Sequence, residues 1–262
     1  QILQNKGNAN YSVTPDTTVL QALHLMAEHN VSAVLVMEGE RLAGIFTERD
    51  YARKVVLLGR AGQNLQQYGL RYSHLGWAYR NEAGLWRVAH KLNTCATAEA
   101  AVYRQGLGEF FLDDLWRFEA VVAVPSAAVQ AQLWPVLADN PRAKALHTPH
   151  YSMVSYVWGQ KYQQSNQWAI ETLAAAMEPA TIRTREQAQA WLRFKGYEPT
   201  TLRLGPLTRM GGRVGSANIA FDDHPNEKRF SDRIETVTVD SVLAWMQRTQ
   251  LAAAPVVLAI KN

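Results

Sequence analysis

The chain has 262 residues, 27 Lys and Arg against 23 Asp and Glu, and a formal net charge of +4. The basic residues are scattered, so the charge speaks for solubility and against a nucleic-acid partner. Cys95 is the sole cysteine, which excludes an internal disulfide framework and any paired-thiol metal site. No apolar run approaches the ~20 residues needed to span a bilayer. The sequence starts at Gln1, not Met, so the expectation is a cytoplasmic protein as written, or a periplasmic one if an upstream signal has been removed.

The length allows one large domain or two moderate ones, and the patterning reads as two. Tyr11-Ser12-Val13 is a short extended piece, and Thr14 to Thr18 supplies cap chemistry for a helix. In that helix Val19, Leu20, Leu23, Met26 and Ala27 recur at three- and four-residue spacing, and Asn30 ends it. Ala33–Met37 reads as a buried strand, Glu38-Gly39-Glu40 as a turn, and Leu42–Phe46 as a second strand. Thr47-Glu48-Arg49-Asp50 then opens a helix predicted to run toward Leu58, although Val55-Val56-Leu57-Leu58 also reads as a helix or strand serving the next domain.

The Gly- and Gln-rich stretch 59–69 marks the expected boundary, giving domains 1–60 and 61–250 and a tail 251–262. In the second domain a strand pair is predicted over Arg71–Arg80 and Leu85–Leu92, then a helix near Ala96–Gln105 and a strand over Phe118–Val124. Helices follow over Ala127–Leu137, Asn166–Met177, Arg185–Lys195 and Ser241–Arg248, with strands near Thr201–Leu204 and Thr236–Val239. This is mixed α+β, not a regular βαβ array.

Strand, helix, strand, strand, helix, with Gly44-Ile45-Phe46-Thr47-Glu48-Arg49-Asp50 at the last turn, resembles a single CBS motif across residues 2–60. Pro15–Val19, Leu25-Met26-Ala27 and Val31-Ser32-Ala33 carry the same resemblance. Physically, Thr47 and Asp50 stand at a helix start, where amides and a hydroxyl suit an anion and a carboxylate suits a diol. The resemblance implies that Thr47 contacts phosphate, that Asp50 binds ribose, and that Val13, Thr14, Ser32 and Ala33 line the adenine. It implies an AMP, ATP or related adenosyl ligand, with no other cofactor required. The plain reading has Thr47 as a cap and Asp50 as a first-turn acid. The family places two motifs in tandem, so one copy implies a homodimer that pairs through this motif.

Residues from about Gly62 to Gln250 resemble a bacterial family known as domain of unknown function 2145. Its marks are Tyr68–Gly76, Val88–Asn93, Gly106–Asp114, Ser165–Trp168 and Phe221–Pro225. A more distant likeness is to the circularly permuted NlpC-type peptidases and the lecithin–retinol acyltransferase group, which are papain-like. It rests on the order His74-x-Gly76, then His90, then a helix opening at Ser165. The likeness implies that His74 is the base, that His90 orients it, and that the residue at the helix start attacks.

The family has cysteine where this chain has Ser165, and a hydroxyl needs direct contact with His74 to serve. Ser165 therefore reads either as a nucleophile or as an N-cap, and Cys95 as a displaced nucleophile or a small apolar residue. His74 and His90 also read as core histidines. His224 with Asp222 and Asp223 matches no strong metal-ligand spacing, so no metal is expected. The favoured expectation is an adenine-nucleotide-sensing regulatory protein with an attached domain of unreadable activity, because its motif is intact. The alternative is a hydrolase or acyltransferase that uses His74 with Ser165 or Cys95. CBS modules and the second family imply different compartments, which leaves the origin of the fusion open.

Overall fold

The computed structural model describes residues 11–47, 54–112 and 115–259. It divides into two compact units, Gln1–Lys54 and Val55–Asn262. The smaller unit holds β1 (Ser12–Val13), α1 (Val19–Glu28), β2 (Ala33–Glu38) and β3 (Arg41–Thr47). β1 runs parallel to β2, and β2 is antiparallel to β3. Thr18 starts α1 with a reciprocal cap: its hydroxyl accepts from the Gln21 amide while the Gln21 side chain accepts from the Thr18 amide. Gly39 takes φ +63° in the hairpin turn, a conformation that glycine adopts without a Cβ penalty. The core is small, with Ala22, Met26 and Val34 buried among Tyr11, Val13, Leu23 and Phe46.

The larger unit is mixed α+β, as its patterning predicts. Its strands are β4 (Val55–Arg60), β5 (His74–Arg80), β6 (Trp86–Asn93), β7 (Ala100–Gln105), β8 (Glu119–Ala123), β9 (Thr200–Arg203), β10 (Arg233–Thr236) and β11 (Val256–Ala259). Its helices are α2 (Leu107–Leu112), α3 (Ala127–Ala138), α4 (Asn140–Lys144), α5 (Ser165–Met177), α6 (Arg185–Phe194), α7 (Pro206–Gly215), α8 (Asn226–Phe230) and α9 (Val239–Arg248). Six strands form one sheet in the order β11-β8-β4-β5-β6-β7, antiparallel throughout, and β9 pairs with β10 separately.

Four expectations differ from this architecture. Val55–Leu58 belongs to a central strand of the large sheet, not to a helix begun at Thr47, so the units part after Lys54 and not within 59–69. Residues 48–53, where that helix was expected to start, lie outside the described residues. Ala96–Gln105 is a turn followed by β7, because hydrogen bonding to β6 outweighs the helix preference of its alanines. The strand expected over Thr236–Val239 lies earlier, at Arg233–Thr236, and Thr238 caps α9 instead. The supposed tail contains β11, which extends the sheet beside β8.

α5 is the central helix. Eleven of its side chains are buried, from Ser165 to Ala176, so it has no wide polar face, as expected of a helix enclosed on all sides. Trp77 of β5 donates its indole N–H to the Ala169 carbonyl at 3.0 Å, and Trp168 donates to Ala143 at 3.1 Å. Ile170 and Leu173 join Leu75, Leu133, Leu137 and Trp245 in the main core. Glu171, fully buried, accepts from Arg185 Nε at 2.8 Å, Gln189 at 2.8 Å and Gln163 at 2.6 Å. A buried carboxylate is tolerable only with such a complete set of donors.

Gly76 leaves room on the other face of β5. A Cβ there would lie 2.5 Å from Val88 Cγ1 and 3.0 Å from the Phe110 ring. The glycine thus lets Phe110 of α2 pack close to the strand pair. Gly76→Ala is expected to lower stability by about 1–3 kcal/mol through overpacking, measured as a fall in the urea midpoint. An unchanged midpoint would show that Phe110 has room to withdraw.

Candidate functional site

In the smaller unit the register brings some of the expected ligand residues together and separates others. Ala33 and Thr47 are direct cross-strand partners at one end of the β2–β3 pair, with Ser32 just before Ala33. Val13 pairs with Val36, three positions farther along β2, or about 10 Å at the usual strand rise. Thr14 is engaged locally: its amide donates to the Thr17 hydroxyl at 3.0 Å, and the two hydroxyls lie 3.1 Å apart. Asp50 lies outside the described residues.

In the larger unit three residues far apart in sequence meet. His74 opens β5, His90 stands on the neighbouring β6, and Ser165 is the first residue of α5. His74 Nδ1 lies 3.1 Å from Ser165 Oγ, and His74 Nε2 lies 2.9 Å from His90 Nδ1. His90 Nε2 lies 2.7 Å from Gln105 Oε1 at the end of β7. An amide oxygen only accepts, so His90 Nε2 carries a proton, and in a neutral His90 ring Nδ1 is then an acceptor. His74 then donates through Nε2 and accepts through Nδ1 from the Ser165 hydroxyl. Tyr151 lines the same cavity as Ser165 and His74, and burial pushes its pKa up to about 12, so it stays protonated. Every donor in the chain Ser165, His74, His90, Gln105 then points the same way.

Ser165 is not the helix cap. That role belongs to Gln164, whose side chain accepts from the Asn166 amide at 3.0 Å. Asn166 ties the helix start to the sheet, since its carbonyl oxygen accepts from the Leu75 amide at 2.9 Å. Phe110 packs on both imidazoles, 5.7 Å from His74 and 5.1 Å from His90 between ring centroids. Burial, His90 and Arg60 together hold the His74 pKa well below the usual histidine range, so the ring is neutral at neutral pH. Lys91 is buried as well, donating to Thr148 at 2.6 Å and to Gln163 at 2.9 Å, and its burial lowers its pKa to about 7.

The other candidates lie elsewhere. Cys95 is exposed in the turn between β6 and β7. His224 pairs with Asp223 at 3.0 Å and donates to the Glu235 carbonyl at 3.3 Å, while Asp223 also accepts from the Tyr156 amide at 2.7 Å. Asp222 is bound to Lys161. Among the described residues no group of three or more His, Cys, Asp or Glu is placed to hold a metal ion. Gln105 was missed because the helix expected over Ala96–Gln105 hid its position beside β6. The register that pairs it with Val88, two residues before His90, is a tertiary fact.

The depressed His74 pKa makes stability depend on pH. Below the ordinary value of 6.5 the unfolded chain takes up a proton that native His74 refuses, so stability is complete above that value and declines as the pH falls. His147, lowered to about 4 mainly by burial, adds a slope of the same sign. Urea unfolding between pH 7 and 5 is expected to show falling stability, with a shallower slope in His74→Gln. The same slope in that variant would place the proton uptake elsewhere.

The model of the family described as an uncharacterized protein conserved in bacteria (DUF2145) matches residues 49–246, and that of the CBS domain matches residues 8–57. The N-terminal segment is 46% identical over 54 residues to the mitochondrial CBS domain-containing protein CBSX3 of Arabidopsis thaliana, covering 20% of this chain and 26% of that protein. It is 42% identical over 52 residues to the CBS domain-containing protein YhcV of Bacillus subtilis, covering 20% of this chain and 37% of that one. The matched segment thus spans well under half the length of either relative. No solved structure matches the chain significantly. Among the described residues no helix is long and apolar enough to cross a membrane. The family match covers most of the sequence and runs through β5, β6 and α5, so the chain belongs to the DUF2145 family and carries a CBS domain ahead of that region.

Proposed function

We propose that the larger unit is a serine-dependent acyl hydrolase or acyltransferase, with Ser165 as nucleophile, His74 as general base and His90 as the group that orients it. The observation that carries this reading is the 3.1 Å contact between Ser165 Oγ and His74 Nδ1. A serine at a helix start is inert without a base; beside one it is not. The sequence puts the regulatory reading first because the expected thiol is absent. The contact to His74 supplies what a hydroxyl needs instead, and Cys95, exposed in its turn, has no comparable placement.

In the first step Ser165 Oγ attacks an acyl carbon as its proton passes to His74 Nδ1. The new imidazolium keeps its Nε2–H bond to His90 Nδ1, and Gln105 keeps His90 in the accepting tautomer. Burial disfavours that cation alone, but it forms beside the negative charge developing on the acyl oxygen. The positive end of α5 faces the same charge. The bond to the leaving heteroatom then breaks as His74 returns the proton to it. Water, or an acceptor hydroxyl or amine, releases the acyl group from Ser165 by the same route in reverse. A nucleophile-bearing helix packed on an antiparallel sheet that carries two histidines also fits a papain-like fold.

A fluorophosphonate probe is expected to label Ser165, with labelling lost in Ser165→Ala and slowed about 100-fold or more in His74→Ala. Labelling that persists in Ser165→Ala would end this assignment, and iodoacetamide inactivation through Cys95 would move the chemistry to the thiol.

The smaller unit favours a second, compatible role: the CBS domain binds an adenine nucleotide and pairs with a second copy of itself. Its hairpin supports pairing, since Leu42 and Ile45 of β3 are 54% and 58% exposed beside a core of few side chains. This reading places the protein in the cytoplasm, where such nucleotides are available. A nucleotide at 100 times its dissociation constant would stabilise the fold by ~2.7 kcal/mol. Millimolar AMP or ATP should therefore raise the thermal midpoint, and light scattering should report a dimer. No shift together with a monomer would exclude both roles.

A further inference from the structure

The α7 helix meets the rest of the larger unit through Thr208, Arg209 and Gly212. Gly212 packs closely enough that a Cβ there would lie 3.5 Å from Ile219. The large apolar side chains of α7 are turned outward instead: Leu207 and Met210, three residues apart, are 79% and 61% exposed. Phe230, the last residue of α8, is 72% exposed. Arg209 holds these pieces together, donating to the Leu204 and Arg229 carbonyls at 2.9 and 2.6 Å and to Asp232 at 2.8 Å.

The same neighbourhood carries positive charge that the fold does not answer. Arg203 and Arg233 are direct cross-strand partners at one end of the β9–β10 pair, on the face opposite the buried Leu202 and Ile234. Both are exposed, and among the described residues neither side chain has a hydrogen-bond or ion-pair partner. Like charges set directly opposite each other are destabilising. Arg229 lies over the Phe230 ring, 4.9 Å from its centroid. Of the nearby carboxylates, Asp232 is engaged by Arg209 and Glu235 by Lys228. That leaves Glu227 of α8 against Arg203, Arg229 and Arg233.

We propose that this surface, Leu207, Met210 and Phe230 beside Arg203 and Arg233, seats the larger unit peripherally on an anionic lipid bilayer. Exposed apolar side chains enter the headgroup boundary while the arginines meet lipid phosphates. An acidic protein would answer the arginines alone, whereas apolar side chains spread over two helices suit a soft interface. The proposal stands apart from the role of Ser165.

Flotation of the full chain is tested with phosphatidylcholine vesicles and with two-to-one mixtures of phosphatidylcholine and phosphatidylglycerol. Binding is expected only to the mixed vesicles at about 0.1 M salt, with release at about 1 M. Arg203→Gln combined with Arg233→Gln should weaken it about 30-fold, and Leu207→Ser combined with Met210→Ser at least tenfold. The arginine variant should unfold at no lower urea concentration than the native chain, since it relieves a like-charge pair. Arg142→Gln with Lys144→Gln removes the same charge from exposed positions on α4 and should leave binding nearly unchanged. No flotation with mixed vesicles, or an equal loss in the α4 variant, would overturn the proposal. Retention on polyglutamate but not on vesicles, abolished in the Arg203 and Arg233 variant, would overturn it in favour of an acidic protein partner.

Discussion

The larger unit depends on how the start of α5 is fixed against the start of β5. Asn166 spans that junction, accepting from the Leu75 amide and donating to the Ser73 and Val237 carbonyls at 3.4 and 3.3 Å. Gln164 caps the helix, and its amide nitrogen donates to the Thr236 hydroxyl at 3.1 Å. Because other side chains satisfy the helix terminus, Ser165 is released from capping and turns toward His74. Nearly two turns further on, Glu171 and Arg185 pin the helix from inside the core at 2.8 Å. Removing either partner leaves a buried charge uncompensated, at a cost of about 3–5 kcal/mol. The ion pair is therefore weak as a source of stability but strong as a constraint on position.

This geometry supports the proposed reading of Ser165 as a nucleophile. A thiolate at a helix terminus is stabilised by the dipole alone, whereas a hydroxyl must hand its proton to a base at the moment of attack. In the proposed mechanism the chain Ser165, His74, His90, Gln105 would supply that transfer through contacts of 3.1, 2.9 and 2.7 Å. Its two imidazoles are buried and backed by Phe110. Gly76 takes part indirectly, since a Cβ there would press on Val88 and Phe110 and lie 3.4 Å from His90 Cβ.

Much of the fold was legible in the sequence where the periodicity was unambiguous. The capped helix after Thr18, the hairpin around Gly39, the β5–β6 pair and the buried helix after Ser165 all follow from local pattern and turn chemistry. What failed was set by pairing. Val55–Leu58 is a continuous apolar run that periodicity alone cannot divide between helix and strand, and the sheet decides it. Ala100–Gln105 is a strand because β6 offers a ladder to it. His74, His90 and Ser165 were legible as candidates through residue type and order, but Gln105 and Tyr151 were not, since nothing local marks them as neighbours of the histidines. The CBS motif was legible from its motif residues, while the register that sets Ala33 opposite Thr47 and Val13 apart from both became clear only in three dimensions.

The central claim is that a one-way hydrogen-bonded chain runs from Ser165 through two neutral imidazoles to Gln105. Long-range nitrogen–proton NMR on protein with 15N-labelled histidine reads the tautomer of each ring directly. Both His74 and His90 are expected to be neutral at pH 7 and protonated on Nε2, with resonances assigned by His74→Gln and His90→Gln. A proton on His74 Nδ1, or a His74 imidazolium at that pH, would mean that the imidazole cannot accept from Ser165.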